Sequence, residues 1–465
     1  MYYNAAGGSL SNTATNVRSI EDFFDNEYTS YAKYTIQNRA IPSTIDGFKP
    51  SQRKIAYAAN RLWKTGNEKP LKVFQLGGQA AAISFFHHGS LDGTIIGMAQ
   101  DFKNSMPIFE GIGQFGSLRS PEAGAPRYVG VKFNQNFRLL YKDFDLTTPQ
   151  FEEGEEIEPR YFLPIIPTVL LNGSSGIAVG FATKILNRHP LDLIDACLSA
   201  LDGKKIPVLR PWIRGFFGTV EPVPDEPGSW TFHGKYEVKN STTVEITEIP
   251  PSFTYEKYEA LLDGLVEKGV LHSYDDHSSD RVHYVLKFPR ANLQDIIKKE
   301  KLGDTLKMKE REGENLTTLD ENAALKIFKT PEEIIRYFVE FRLGYYSKRK
   351  AKLISEITDE LRVIGARARF IKAIVEREIE VANVKRADII ASIERIGIAK
   401  EEDGYDFLLS MPIHTLTAEK YAELLKKQAA KEKELKEVEK TTPEEFYRKD
   451  LKELRSQVEK TNSKQ

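Results

Sequence analysis

The sequence predicts an α+β chain of several domains, and three textures along it carry that prediction. Residues 21–142 alternate helical patches with Pro and Gly punctuation, residues 143–330 break into short β-rich runs, and residues 331–465 turn to long charged helices with a recurring apolar seam. At 465 residues the chain is also too long for one hydrophobic core and should divide into two or three domains.

The first 20 residues (MYYNAAGGSLSNTATNVRSI) are small and polar, the composition of a flexible tail, and periodic structure begins near Ser19. In the first domain, 21–142, Pro50 to Trp63 is expected to be a helix with proline at its start, where the missing N–H is harmless, and Leu91 to Phe102 a second helix. A compact helix-turn-helix-like domain fits this alternation. In the second, 143–330, the runs Val208-Leu209, Phe216 to Val220, Thr243 to Ile249 and Val282 to Phe288 are separated by Pro and Gly, which predicts the strands of an α/β domain.

After Pro331 the periodicity changes. Leu353, Ile357, Leu361, Ile364, Ala368 and Ile371 recur at spacings of four and three, a coiled-coil seam. Tyr421 to Lys440 and Thr442 to Lys460 are highly charged, with Leu451, Leu454 and Val458 on one stripe, so they are expected to return antiparallel along the first helix. Between the arms, Ile389 to Leu416 is broken by Gly397, Gly404 and Pro412 and carries Phe407-Leu408-Leu409, enough for a small globular tip. Such a tip often dimerises; the alternative is a solvated helical hairpin without a partner.

Composition limits the function. Lys+Arg (66) and Asp+Glu (67) nearly cancel, so affinity for nucleic acid has to come from a local patch. Residues 31–130 supply one, with twelve Lys/Arg against six Asp/Glu, the footprint a phosphate backbone needs. The lone Cys197 cannot form an intramolecular disulfide, and no apolar stretch is long enough for a signal peptide or membrane span. The expected location is therefore the cytoplasm.

Within the basic stretch lies Gly124-Ala125-Pro126-Arg127-Tyr128. A phenol with a pKa near ~10 is a poor nucleophile at neutral pH unless a cation or base assists it, and a neighbouring guanidinium also braces a phosphate. Arg39-Ala40-Ile41-Pro42, followed by Asp46-Gly47-Phe48-Lys49-Pro50-Ser51-Gln52-Arg53-Lys54, is a turn leading into a basic helix whose start can face a phosphate; the bland reading is an amphipathic helix with a solvated basic face. Phe86-His87-His88-Gly89-Ser90 places two imidazoles before a helix. Adjacent histidines diverge too much for a metal site, and a hydrogen-bond donor to phosphate suits one of them better.

Gly111-Ile112-Gly113-Gln114-Phe115-Gly116-Ser117 lacks the spacing of a dinucleotide loop and is expected to be a tight turn that lets the tyrosine approach DNA. Asn172-Gly173-Ser174-Ser175-Gly176-Ile177-Ala178-Val179-Gly180 has no Lys-Ser/Thr ending and is not a P-loop. Its Ile177, set among small residues, is either a buried turn residue or an apolar wedge of the kind that kinks a duplex.

These motifs, in this order, resemble the breakage-reunion subunit of type IIA DNA topoisomerases, from about Ser19 to the end. The double histidine, Ser410-Met-Pro-Ile-His-Thr-Leu-Thr417 and Thr442-Pro-Glu-Glu-Phe look closer to the eukaryotic and T-even phage branch than to bacterial gyrase. The resemblance implies a winged-helix DNA-binding domain over 21–142 with the catalytic tyrosine, an α/β tower domain over 143–330, and a long antiparallel coiled coil with a globular dimerisation tip over 331–465. It implies that Tyr128 attacks a phosphodiester and stays linked to the 5′-phosphate, that Arg127, Arg39 and His88 stabilise the reacting phosphate, and that Lys49, Gln52, Arg53 and Ile177 contact the DNA, Ile177 by bending it.

The resemblance also implies an incomplete enzyme. The family's Asp-x-Asp and Glu-Gly metal fold is not found here, Glu152-Glu153-Gly154-Glu155-Glu156 being better read as a solvated acidic loop, and no ATPase signature appears. Mg²⁺ and ATP are therefore expected on partner subunits, no metal is expected on this chain, and two copies are needed to cut two strands. With no room for a DNA-wrapping C-terminal domain, the expected outcome is ATP-driven relaxation or unlinking without negative supercoiling, in the host cytoplasm if the chain is phage-encoded. The competing readings are a non-catalytic DNA-binding coiled-coil scaffold with Tyr128 merely packed, and a tyrosine recombinase or nuclease acting alone.

Overall fold

The computed structural model describes residues 23–63, 69–84, 91–401 and 404–462. The expected tail at 1–20 and the His87-His88 pair lie outside the described residues. The chain forms two compact units, one of 1–138, 149–193 and 207–334, the other of 139–148, 194–206 and 335–465.

The first unit opens with a π-helical turn, Phe23–Tyr28, helix α1 (Thr29–Thr35) and a second π-helical turn, Ile36–Ala40, which ends where Ile41 becomes extended. Helix α2 (Pro50–Leu62) starts at its proline as expected and buries Ile55, Ala56, Ala58 and Ala59. Strand β1 (Leu71–Lys72) runs directly into α3 (Val73–Ile83), and α4 (Asp92–Ala99) follows. Strands β2 (Phe109–Ile112) and β3 (Gly130–Phe133) complete a three-stranded antiparallel sheet with β3 in the centre. Phe133 stacks on Phe109 at 5.5 Å and on Phe137 at 4.1 Å between ring centroids, with Trp63 edge-on at 5.2 Å. Aromatic burial of this kind contributes beyond its area, and it fixes the strand that follows Tyr128.

A two-stranded hairpin pairs β4 (Ser174–Ile177) with β5 (Ala182–Ile185), Ile177 opposite Ala182. Lys184 and Asn315 exchange both backbone hydrogen bonds, at 3.0 and 2.8 Å, which braces it. Further along come β6 (Thr219–Pro222), β7 (Ser229–His233), β8 (Lys235–Val238), β9 (Thr243–Glu248), helix α5 (Tyr255–Glu267), β10 (Ser273–Asp276), β11 (Tyr284–Lys287), β12 (Lys309–Gly313), β13 (Leu316–Leu319) and β14 (Leu325–Phe328). They form a four-stranded antiparallel sheet in the order β8-β9-β11-β10, a three-stranded sheet in the order β12-β7-β6, and the β13–β14 hairpin. Val244, Ile246, Tyr284 and Leu286 alternate toward the core, where Tyr258 and Leu262 of α5 cover them.

Two strand expectations differ from the structure. Val208-Leu209 is irregular: Val208 is exposed, while Leu209 is buried and held through its backbone by Arg188 and Glu332. The run from Phe216 becomes strand only at Thr219, because the chain turns at Gly215 with φ +81°.

The second unit is built on α6 (Pro331–Val375), whose residues from Ile335 onward belong to it. Ile364, Ala368 and Ile371 of the predicted seam are buried against Leu424 of α8 (Ala418–Lys440). At its far end Phe370 and Ala373 join Ile393 of α7 (Arg386–Arg395) with Ile398, Tyr405 and Leu408 in a separate small core. The last helix, α9 (Pro443–Asn462), buries Tyr447, Leu451, Leu454 and Val458, its predicted stripe.

A buried ionic cluster holds the base of this unit. Asp143, at φ +60°, accepts from Arg342 Nη2 at 2.6 Å and Arg349 Nε at 2.6 Å, and Asp450 accepts from Arg349 Nη1 at 2.7 Å and the Tyr346 hydroxyl at 2.8 Å.

Candidate active site and nucleic-acid interface

Tyr128 sits on a short turn just before β3, and its side chain is 68% exposed. The turn is closed by Tyr128 N donating to Ala125 O at 2.8 Å. The first two N–H groups of α3, from Val73 and Phe74, donate to the carbonyls of Val129 (3.1 Å) and Pro126 (3.3 Å), so the helix start is spent on holding this loop. The Arg127 guanidinium lies over the phenol ring at 4.9 Å, within cation–π range. Exposed Lys72 donates through Nζ to the backbone carbonyl of Tyr128 at 2.6 Å. Sequence reasoning places Lys72 only within the basic patch; its position at the end of β1, paired with β3, is the missing signal.

Of the glycine segment predicted as a tight turn, Gly111 and Ile112 continue β2, and the loop begins at Gly113, which has φ +106°. Gly116 has φ +79°, and a Cβ there would meet the Pro121 backbone at 2.7 Å. Buried Gln100 spans the loop, its Nε2 donating to Phe115 O at 2.9 Å and Pro121 O at 3.1 Å, and Gly124 N donates to Gln114 O at 2.9 Å.

A second group of predicted residues gathers around the β4–β5 hairpin. Ile177 stands at its tip, 89% exposed, with Phe181 39% exposed across the turn. It is therefore not a buried turn residue. Lys49 Nζ donates to Ser175 O at 2.6 Å, and a Cβ on Gly176 would lie 2.1 Å from Ala40 O, so the hairpin is pressed against the segment that ends in exposed Arg39. Partial burial lowers the Lys49 pKa from its ordinary value. Arg39, Lys49 and Ile177 are thus brought together, and among the described residues no hydrogen bond or ring contact joins them to the Tyr128 side chain.

Two of the predicted DNA contacts take part in structural interactions. Gln52 Oε1 accepts from Lys49 N at 2.9 Å and closes the start of α2. Arg53, expected on the DNA backbone, is turned inward: it is 9% exposed, and its Nε and Nη2 bind the two Asp46 oxygens at 2.7 and 2.9 Å. Asp46 also accepts from Phe48 N at 3.1 Å and Phe162 N at 3.0 Å, so a bidentate pair fixes the turn that presents Lys49. Lys54 pairs with Glu158, and Arg119 with Glu248. The exposed positive surface is correspondingly smaller than the count of twelve cations implied.

Among the described residues no group of three or more His, Cys, Asp or Glu side chains is placed to hold a metal ion, and no helix is long and apolar enough to cross a membrane.

Comparison with known proteins bears on this geometry. Residues 39–453 match the family model that describes the A-type subunit of DNA gyrase/topoisomerase IV. The DNA topoisomerase medium subunit of Enterobacteria phage T4 is 33% identical over 95% of this chain and 99% of its own length. The DNA topoisomerase 2 of Arabidopsis thaliana is 32% identical over 96% of this chain, which spans only 34% of that relative. The crystal structure of the DNA-binding, cleavage and re-ligation domain of Plasmodium falciparum topoisomerase II aligns with a TM-score of 0.83 at 33% identity, covering 95% of this chain and 65% of that one. The mixed α/β architecture is shared with that domain.

Proposed function

Because the chain belongs to the family of A-type subunits of DNA gyrase/topoisomerase IV, we propose that it is the DNA cleavage and re-ligation subunit of a type II topoisomerase, with Tyr128 as the nucleophile. The exposure of Tyr128 beside Arg127 and Lys72 carries this reading. The Tyr128 oxygen attacks a phosphodiester, the P–O3′ bond breaks, the phenolic proton passes to the departing 3′-oxygen, and the 5′-phosphate is left as a tyrosyl ester. The reverse attack by the 3′-hydroxyl reseals the strand without further energy input. Arg127, which lies over the phenol ring, and Arg39 stabilise charge on the reacting phosphate, Lys72 steadies the turn through the Tyr128 carbonyl, and His88 serves as a hydrogen-bond donor.

Residues 21–142 act as the winged-helix domain and 143–330 as the tower. Lys49 contacts the DNA backbone, Gln52 and Arg53 support it from within, and Ile177 inserts as a wedge that bends the duplex. Residues 331–465 form the coiled coil, and its tip, where Ile413 is 84% exposed, supplies the homodimer contact that pairs two tyrosines across a two-fold axis.

Among the described residues no three carboxylate, histidine or cysteine side chains group as a metal site. Mg²⁺ and ATP belong to partner subunits, and the assembled enzyme relaxes or unlinks DNA without introducing negative supercoils. The scaffold reading requires a packed Tyr128, which its exposure disfavours.

The test combines the chain with supercoiled DNA, a divalent metal and its partner subunits, followed by denaturation and proteolysis. Wild type should yield protein-linked DNA ends and Tyr128→Phe none. Linked ends that survive the substitution would overturn the assignment.

A further inference from the structure

We infer that Arg119 is a positioning residue for Tyr128, gripping the end of β9 through Glu248 so that the tyrosine loop is held by the four-stranded sheet. The inference rests on the reading of Tyr128 as nucleophile. Arg119 belongs to the loop between β2 and β3, and a count of charges alone places it with the surface cations. Its side chain is 7% exposed and Glu248 is 2% exposed, so neither is available to a phosphate.

Arg119 Nη2 donates to Glu248 Oε1 and to Ile249 O at 2.7 Å, and Nη1 donates to Pro250 O at 2.9 Å and Phe253 O at 2.8 Å. Tyr255 N in turn donates to Arg119 O at 3.0 Å. Glu248 Oε1 also accepts from Ile249 N at 3.0 Å, and its Oε2 accepts from Phe217 N at 2.9 Å.

One planar guanidinium therefore closes on four acceptors at the end of a strand, a geometry that lysine cannot reproduce. Burying two charges is costly unless such a fork is complete. The turn that carries Tyr128 is held by Val73 N, Phe74 N and Lys72 Nζ, and the preceding loop is held to the end of α4 by Gln100 and closed on itself by the Gly124–Gln114 bond. Arg119 ties it to the four-stranded sheet. In-line attack tolerates little displacement of the reacting oxygen, so the tether should set cleavage rather than binding.

The experiment compares Arg119→Lys, Glu248→Gln, the double variant and Tyr128→Phe in the assembled complex. Melting temperature, DNA affinity and covalent adduct at saturating DNA are measured for each. Arg119→Lys should keep its affinity for DNA while adduct formation falls on the order of ten- to a hundredfold. The double variant should lose no more than the worse single one, the mark of a shared interaction. Full adduct yield in a folded Arg119→Lys, or parallel losses of affinity and adduct, would overturn the inference; should Arg119→Lys not fold, Glu248→Gln is judged by the same outcomes. Loss in Tyr128→Phe with retention in Arg119→Lys refutes this inference alone, whereas retention in Tyr128→Phe refutes the nucleophile assignment itself.

Discussion

Gly176→Ala tests how closely the β4–β5 hairpin is seated. The added Cβ would lie 2.1 Å from Ala40 O, 3.0 Å from Ala40 C and 3.2 Å from Lys49 Nζ. A carbon–oxygen contact settles at ~3.3–3.6 Å, so the hairpin and the Arg39–Ile41 segment must part by on the order of 1 Å. The obstructing atom is backbone, so rotamer change gives no relief, and overpacking of this kind costs ~1–3 kcal/mol. The same displacement strains the Lys49–Ser175 hydrogen bond and shifts Ile177 at the tip. Denaturant unfolding should show the loss of stability, and energy transfer between dyes on the two ends of a short duplex should show reduced bending. Ile177→Gly should reduce bending too, but without comparable destabilisation. Gly264→Ala in α5, where nothing lies within 4 Å of the new Cβ, is the control and should gain up to ~1 kcal/mol. A Gly176→Ala protein with wild-type stability and bending would refute the reasoning.

Other outcomes follow from the same contacts. Arg39→Ala should lower the slope of log K against log salt by about 1, whereas Arg53→Ala should leave it unchanged and cost ~3–5 kcal/mol of stability by stranding buried Asp46; titrations at several salt concentrations and chemical denaturation decide both. For Asp450, burial raises the pKa, but Arg349, Lys142 and the Tyr346 hydroxyl more than reverse this and hold it below its ordinary value. Its stabilising contribution is then complete above ~3.9 and is lost as pH falls through the depressed folded value. Acid unfolding of the second unit should begin below about pH 4, and Asp450→Asn should flatten that limb while lowering stability at neutral pH. Burial pushes the Cys197 thiol up to about 12. Alkylation at pH 8 should therefore be negligible in the folded protein and fast after unfolding, and rapid labelling under native conditions would contradict the burial.

Much of this architecture was legible because its signals are local. Proline at the start of α2, the alternation along β9 and the four-three spacing of Ile364, Ala368 and Ile371 each specify an element through its own period and punctuation. For Ile177 the sequence left two readings open, a buried turn residue and an exposed apolar one, and its 89% exposure selects the second. The inward turn of Arg53 and Arg119 was not legible. Charge counting treats every guanidinium as surface, but Arg119 finds its carboxylate 129 positions away, on a strand that only the folded topology brings near. For Arg53 a signal existed: Asp46 precedes it by seven positions within the same motif, across a turn that Gly47 makes at φ +69°. Val208-Leu209 misled because a β-branched and an aliphatic residue side by side satisfy a strand pattern, while the flanking prolines at 207 and 211 leave too few N–H groups for a ladder.

On the function proposed above, Tyr128 itself becomes joined to DNA. The direct measurement is tandem mass spectrometry of the peptide–nucleotide conjugate recovered from nuclease- and protease-digested cleavage complexes of the assembled enzyme. A single conjugate is expected, its nucleotide attached through the 5′-phosphate to the phenolic oxygen of Tyr128. A conjugate on any other residue, or a 3′-phosphate linkage, would contradict it.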